Sequence, residues 1–169
     1  DVFDALFYNP TCVAVALIVF GIAFIVIENR NRNMSPKITG LQQITFQTAF
    51  MIGVFQLLAA VFPGTSRSGA TIVGALLIGV SRTVAAEFTF FLAIPVMLGA
   101  SLLKIVKFGF DFTGAELTVL LVGMVSAFVV SVVVIRFLMG YIKKHDFKVF
   151  GWYRIIFGAA VLLYFTLAA

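Results

Sequence analysis

At 169 residues, 62% hydrophobic and only 11% charged, with a mean hydropathy of +1.14, this chain cannot coat itself with water-facing side chains, because soluble domains carry about a quarter charged residues. Several apolar stretches approach or exceed the ~18–20 residues that cross a hydrocarbon core. Runs such as residues 128–134 do not alternate as the strands of a membrane β-barrel must. The net charge of +5 would suggest nucleic acid in a soluble protein. Here the positives cluster in short loops between spans, where they set orientation, so the lipid bilayer and not nucleic acid is the expected partner. The composition predicts an all-α polytopic membrane protein forming a single membrane domain over residues 1–169. The lone Cys12 excludes an internal disulfide and a cysteine-rich metal site.

The first span is expected at about residues 11–27, ending in the basic loop from Glu28 to Lys37. A helix then restarts near Thr39 or Gly40, with Gln42, Gln43 and Gln47 on its early turns. It stops at Pro63-Gly64, and a second helix runs from the following turn to about Gly79. The apolar arms cover 49–62 and 72–80, too short for either to cross ~30 Å at 1.5 Å per residue. A re-entrant helical hairpin over residues 40–80 is therefore expected, since a non-helical tip is tolerated at membrane depth only inside protein or a wet cavity. Two complete spans joined by an external loop are the competing arrangement. Further spans follow at about 85–106, kinked at Pro95, at 115–138 and at 150–168.

Loop charges orient these elements. The 28–37 loop, Arg82 and the loop holding Arg136, Lys143, Lys144 and Lys148 are basic, whereas Lys104, Lys107, Asp111 and Glu116 cancel. Threading the parity puts every basic loop in the cytoplasm, Asp1 and Asp4 outside, and the hairpin tip facing outward from mid-membrane.

The tip carries the chemistry. Pro63-Gly64-Thr65-Ser66-Arg67-Ser68-Gly69-Ala70-Thr71 sets one Arg and several hydroxyls between apolar arms, an expensive arrangement at membrane depth unless something anionic meets it. Ser, Thr and Gly before a helix leave free N–H groups that bind anions with the helix dipole. Gly64 and Gly69 permit close approach, Thr65 adds a hydroxyl, and the Arg67 fork matches phosphate oxygens. Ser68 and Thr71, three residues apart, are expected to share one helix face. Ser66, Ser68 and Thr71 are assigned hydrogen bonding and Arg67 phosphate clamping. A plain helix cap, with Arg67 paired to a carboxylate, is the structural alternative. The segment is not a P-loop, because Ala70 stands where the phosphate-binding Lys belongs. Ser66-Arg67 and Ser81-Arg82 lack the downstream catalytic His of the other large class of membrane lipid phosphatase, and His145, the sole histidine, reads as a solvated loop residue. Glu87 suits the first turns of its helix, where a carboxylate complements the dipole. Arg154, after Trp152-Tyr153, suits a snorkelling position at the headgroups. Ala70 with Gly74, and Ala75 with Gly79, offer small faces for helix packing.

At these residues the chain resembles the bacitracin-resistance family of undecaprenyl-diphosphate phosphatases, whose signature reads PGxSRSGxT. The likeness extends to the 49–53 run and Gln56 before the motif. After it come Gly79-Val80-Ser81-Arg82, Ala85, Glu87-Phe88, Phe90, Leu92-Ala93, Pro95 and, in the last span, Tyr153-Arg154; it covers about Gln47 to the C-terminus. The resemblance implies hydrolysis of undecaprenyl diphosphate to the monophosphate and phosphate, recycling the lipid carrier of cell-wall synthesis in the bacterial cytoplasmic membrane. It also implies two inverted repeats, each with a re-entrant hairpin, and a divalent cation, magnesium or calcium. In the family, paired Glu residues and a Ser-Ser-Thr-Gly-His stretch lie in the first repeat. This chain has Gln56 and Ala60 where that repeat has its Glu pair, so it is expected to be the second repeat of a larger protein. The nucleophile, base and metal ligands would then lie outside it, with Gln56, Glu87 and Arg154 secondary members of the site. A transporter or flippase for an anionic lipid is the alternative, since such hairpins also build transporters.

Overall fold

The computed structural model describes residues 9–109 and 113–167; Asp1, Asp4 and Asp111 of the charge argument, and the end of the last expected span, lie outside them. Among the described residues the chain forms six α-helices: α1 (Pro10–Asn31), α2 (Phe46–Val61), α3 (Arg67–Ile78), α4 (Arg82–Phe108), α5 (Gly114–Ile142) and α6 (Lys148–Leu167). Helices α1, α4, α5 and α6 are long and apolar enough to cross a membrane. The chain is an all-α polytopic membrane protein.

Each long helix overruns its expected span at one end or both, because polar residues there find partners or caps. Helix α1 continues through Glu28 and Asn31, whose side chains bond Arg82 and the Leu76 carbonyl. Asn9 caps its start by accepting from the Cys12 N–H, with Pro10 at the first helical position. Helix α5 begins in a capping box between Thr113 and Glu116. Helix α4 passes through Pro95 as one unbroken helix.

Helices α1 and α6 pack antiparallel along a seam of small residues seven apart on each. A Cβ added at Gly151 would lie 2.8 Å from the Gly21 carbonyl oxygen, and one at Gly158 would lie 2.8 Å from that of Ala14. Backbones this close exclude a side chain at Gly151 and Gly158, the arrangement that favours helix association in lipid. Phe24 and Ile27 of α1 and Phe147, just before α6, extend the seam into the core.

Helices α2 and α3 form a hairpin, closed at the tip by residues 62–66 and at its feet by a clip of backbone bonds. The Lys37 and Ile38 N–H groups donate to the Gly79 carbonyl, and the Ser81 N–H donates to that of Ile38 (2.8 Å). The expected helix restart at Thr39 or Gly40 is therefore displaced. With its N–H groups engaged by Gly79, this segment stays extended. A short 3-10 turn (Leu41–Gln43) follows, and α2 starts only at Phe46, capped by Thr45. Gln42 and Gln43 thus precede the helix, and the Gln43 Oε1 accepts from the Thr39 N–H at 2.8 Å. Gly74 lies beneath the Phe55 ring, so no larger residue fits there. Gly79 ends α3 with a left-handed φ of 95°.

Helix α3 is the most enclosed element: Gly69, Ala70, Thr71, Val73, Gly74, Ala75 and Leu76 are buried. Ile52 of α2, Val84, Ala85 and Ala86 of α4, and Ile142 of α5 complete the core around it. The distal half of α4 and nearly all of α5 present apolar side chains outward. The fold therefore holds one short helix at its centre, with that helix's N-terminus at the motif.

Candidate active site

Ser66 caps α3. Its Oγ accepts from the Gly69 N–H at 3.2 Å, and the Ala70 N–H donates to the Ser66 carbonyl at 2.9 Å. The Arg67 and Ser68 N–H groups remain as helix-start donors without intrahelical partners. The Ser66 and Ser68 hydroxyls lie 3.0 Å apart, sharing one hydrogen. Arg67, half-buried as the first residue of α3, has no ion pair among the described residues. The carboxylate partner that a purely structural cap would supply is not found there.

Arg154 is brought to the same helix start from α6. Its Nη2 lies 3.2 Å from where a Cβ on Gly69 would stand, and its guanidinium carbon lies 5.5 Å from the centroid of the Phe24 ring. The cation is held over an aromatic face and turned inward, not snorkelled outward. Ser68, Gly69, Thr89 and Arg154 line one cavity of about 140 Å³, closed by Phe24, Phe90 and Phe150 among other apolar groups. A Cβ at Gly69 would stand 3.2–3.3 Å from Arg154, Phe24 and Ser66, so a side chain there would crowd all three.

Among the described residues, two buried side-chain polar atoms lack a hydrogen-bond partner: Thr65 Oγ1 and Arg154 Nη1. Both belong to this motif or to the cavity beside it. Orphaned buried donors cost about 1–3 kcal/mol each, more when charged; Thr65 stands two residues before Arg67, and Arg154 reaches Gly69 on the first turn of the same helix.

Thr71 is placed differently from its neighbours. It is 1% exposed, and its hydroxyl donates toward the Ser68 and Arg67 carbonyls and lies 3.0 Å from Thr89 Oγ1. The pair ties α3 to α4, and the Thr71 hydroxyl does not join Ser68 on an open face. Gly64 holds the tip turn at φ +89°, with its missing side chain facing Val13 of α1. Gln56 on α2 and Glu87 on the second turn of α4 are half-buried, and among the described residues no hydrogen bond or ion pair links either to the motif. His145 stacks on Tyr141 at the opposite end of the hairpin from its tip. Sequence reasoning missed Thr89 and Phe24. Thr89 is legible as a polar residue one turn beyond Ala85 and Ala86 on the same face of α4; Phe24 has no such signal.

The donor set is N–H groups, hydroxyls and guanidinium, all suited to an anion. Among the described residues no three His, Cys, Asp or Glu side chains converge, so these residues do not fit a cation site, and no step is assigned to a metal here.

The family model described as "Bacitracin resistance protein BacA" matches residues 1–160. The chain belongs to the BacA family. The match begins well before Gln47, so the likeness takes in α1 as well as the hairpin. An undecaprenyl-diphosphatase of Desulfitobacterium hafniense is 74% identical over 98% of this chain and 60% of its own length. Undecaprenyl-diphosphatase 1 of Clostridium acetobutylicum is 68% identical over 99% of this chain and 61% of its own. An undecaprenyl-diphosphatase of Enterococcus faecalis is 64% identical over 96% of this chain and 59% of its own. The chain thus spans about 60% of the length of these curated BacA relatives.

Proposed function

We propose that this chain is part of a phosphatase that hydrolyses undecaprenyl diphosphate to undecaprenyl phosphate and inorganic phosphate. The observation that carries the reading is the pair of orphaned polar atoms, Thr65 Oγ1 and Arg154 Nη1, close to the free N–H groups of α3. A diphosphate is the acceptor that such a set lacks. Hydrolysis adds the oxygen of water to the terminal phosphorus and breaks the P–O–P bond, leaving the lipid monophosphate. In this scheme Arg67 clamps the phosphoryl oxygens, Arg154 supplies a second fixed positive charge, and Thr65, Ser66, Ser68 and the N–H groups of α3 orient them. These groups stabilise the charge that develops in transfer and need no reorganisation to do so. Gly64 and Gly69 keep the backbone close, and Thr71 with Thr89 fixes the angle of α3 against α4. No base lies within hydrogen-bond reach of Ser66 or Ser68 among the described residues, so the attacking group, and any divalent cation, are assigned to residues outside this set.

The hairpin is read as re-entrant, entering and leaving at the basic end, which the positive-inside rule places in the bacterial cytoplasm, with the cradle reached from outside. The relatives bear a diphosphatase name, and transport draws no support from them. The test is phosphate release from undecaprenyl diphosphate by the purified full-length protein. Arg67→Ala should lower it by about 10²–10³ and Arg67→Lys should recover little, because an ammonium cannot make the bidentate contact. An Arg67→Ala protein that is monodisperse and within about threefold of wild type would refute the clamp, since the charge would then contribute less than ~1 kcal/mol.

A further inference from the structure

The end of the molecule at the feet of the hairpin gathers charge from three separate segments. Arg32 just past α1, Arg82 at the start of α4, and Lys144, His145, Asp146 and Lys148 around the α5–α6 connection line a basin of about 400 Å³ with Glu28 at its floor. Its carboxylates are already engaged within the protein. Glu28, 0% exposed, takes Arg82 through Nε (2.8 Å) and Nη2 (2.6 Å). Asp146 accepts from the Lys148 N–H at 3.2 Å and faces its Nζ at 3.7 Å. Arg32 and Lys144 remain, both exposed and without an ion pair among the described residues. The basin therefore presents two uncompensated cations over a neutralised floor, which is the electrostatic complement of a phosphate ester.

The helix ends around it point to the source of that phosphate. The basin lies where the four helices long and apolar enough to cross a membrane, α1, α4, α5 and α6, begin or end on one side. Trp152 and Tyr153, both exposed, stand about one turn beyond Lys148, as aromatic residues do at the headgroup level. We propose that this basin binds the phosphate headgroup of an acidic phospholipid, held by Arg32 and Lys144. It shares no lining residue with the cavity beside Ser68 and Arg154, so it is independent of the phosphatase reading.

Native mass spectrometry of the full-length protein, exchanged into phosphatidylcholine containing increasing phosphatidylglycerol, reads the retained lipid directly. Arg32→Gln with Lys144→Gln should weaken phosphatidylglycerol retention about 25-fold, at about fivefold per cation near a membrane surface. Lys104→Gln with Lys107→Gln, the same loss of charge toward the far end of α4, should leave retention unchanged. Millimolar inorganic phosphate should not displace the lipid. Retention by the Arg32/Lys144 variant equal to wild type would overturn the proposal, as would an equal loss in the Lys104/Lys107 variant. Displacement by inorganic phosphate would make the basin a free-anion site and overturn the lipid assignment.

Discussion

Removing Arg82 should destabilise the protein far more than removing Glu28, although the two form one ion pair. The Glu28 side chain is 0% exposed and that of Arg82 is 39% exposed, so the pair is lopsided in solvation. In Arg82→Gln the fully buried carboxylate at the floor of the basin loses the cation that bonds it, a situation that costs about 3–5 kcal/mol. In Glu28→Gln the guanidinium can turn to water while the new amide oxygen still accepts from it, so the loss is nearer that of one charge-assisted hydrogen bond, about 1–3 kcal/mol. With both replaced, no charge is stranded, and the double variant should be more stable than Arg82→Gln alone. Thermal unfolding in one detergent at one scan rate should rank wild type, Glu28→Gln, the double variant and Arg82→Gln in falling order or with the middle two level. For Arg82→Gln a drop of roughly 6–20 °C is expected, at ~2–4 °C per kcal/mol. Equal drops for the two single variants, or a double variant equal to their sum, would refute the argument, because the pair would then act as an ordinary surface bridge.

Two further outcomes follow from the cradle. Arg154→Ala should lower phosphate release by about 10²-fold while leaving the melting temperature unchanged or higher, since a half-buried guanidinium with no ion pair among the described residues costs stability; a large fall in melting temperature would make Arg154 structural instead. Gly64→Ala should cost at least about 1–3 kcal/mol of strain at φ +89°, with its Cβ 2.6 Å from the Val13 carbonyl oxygen. Gly53→Ala, where nothing lies within 4 Å, should be neutral or slightly stabilising in the same melting assay.

The sequence carried the four long helices because uninterrupted apolar runs have one physical reading at this length. It carried the hairpin because Pro63-Gly64 and the left-handed Gly79 punctuate arms too short to span. The segment around Thr39 departs from the expected helix because the Lys37 and Ile38 N–H groups are held by Gly79, far along the chain, and no local pattern encodes such a partner. For a similar reason Arg154 carries two expectations, a snorkelling position from its local sequence and a secondary place in the site from the family resemblance. Next to Trp152-Tyr153 a snorkelling Arg is the local expectation, and only the packing of α6 on α1, through Gly151 and Gly158, turns it over Phe24. Thr71 fits its expected spacing from Ser68, yet Thr89 claims its hydroxyl from another helix.

Helix α1 touches the hairpin at both extremities. Val13 lies against Gly64 at the tip, while Glu28 holds Arg82 immediately after the feet. The stretch between those two residues of α1, about 22 Å at 1.5 Å per residue, is thus a splint whose length must match that of the hairpin it braces. One residue inserted into α1 would turn everything beyond it by about 100° and advance it 1.5 Å, so tip and feet could not both stay seated. The turn of Gly64 and the ion pair of Arg82 are therefore two ends of a single fit, set by the length of this helix.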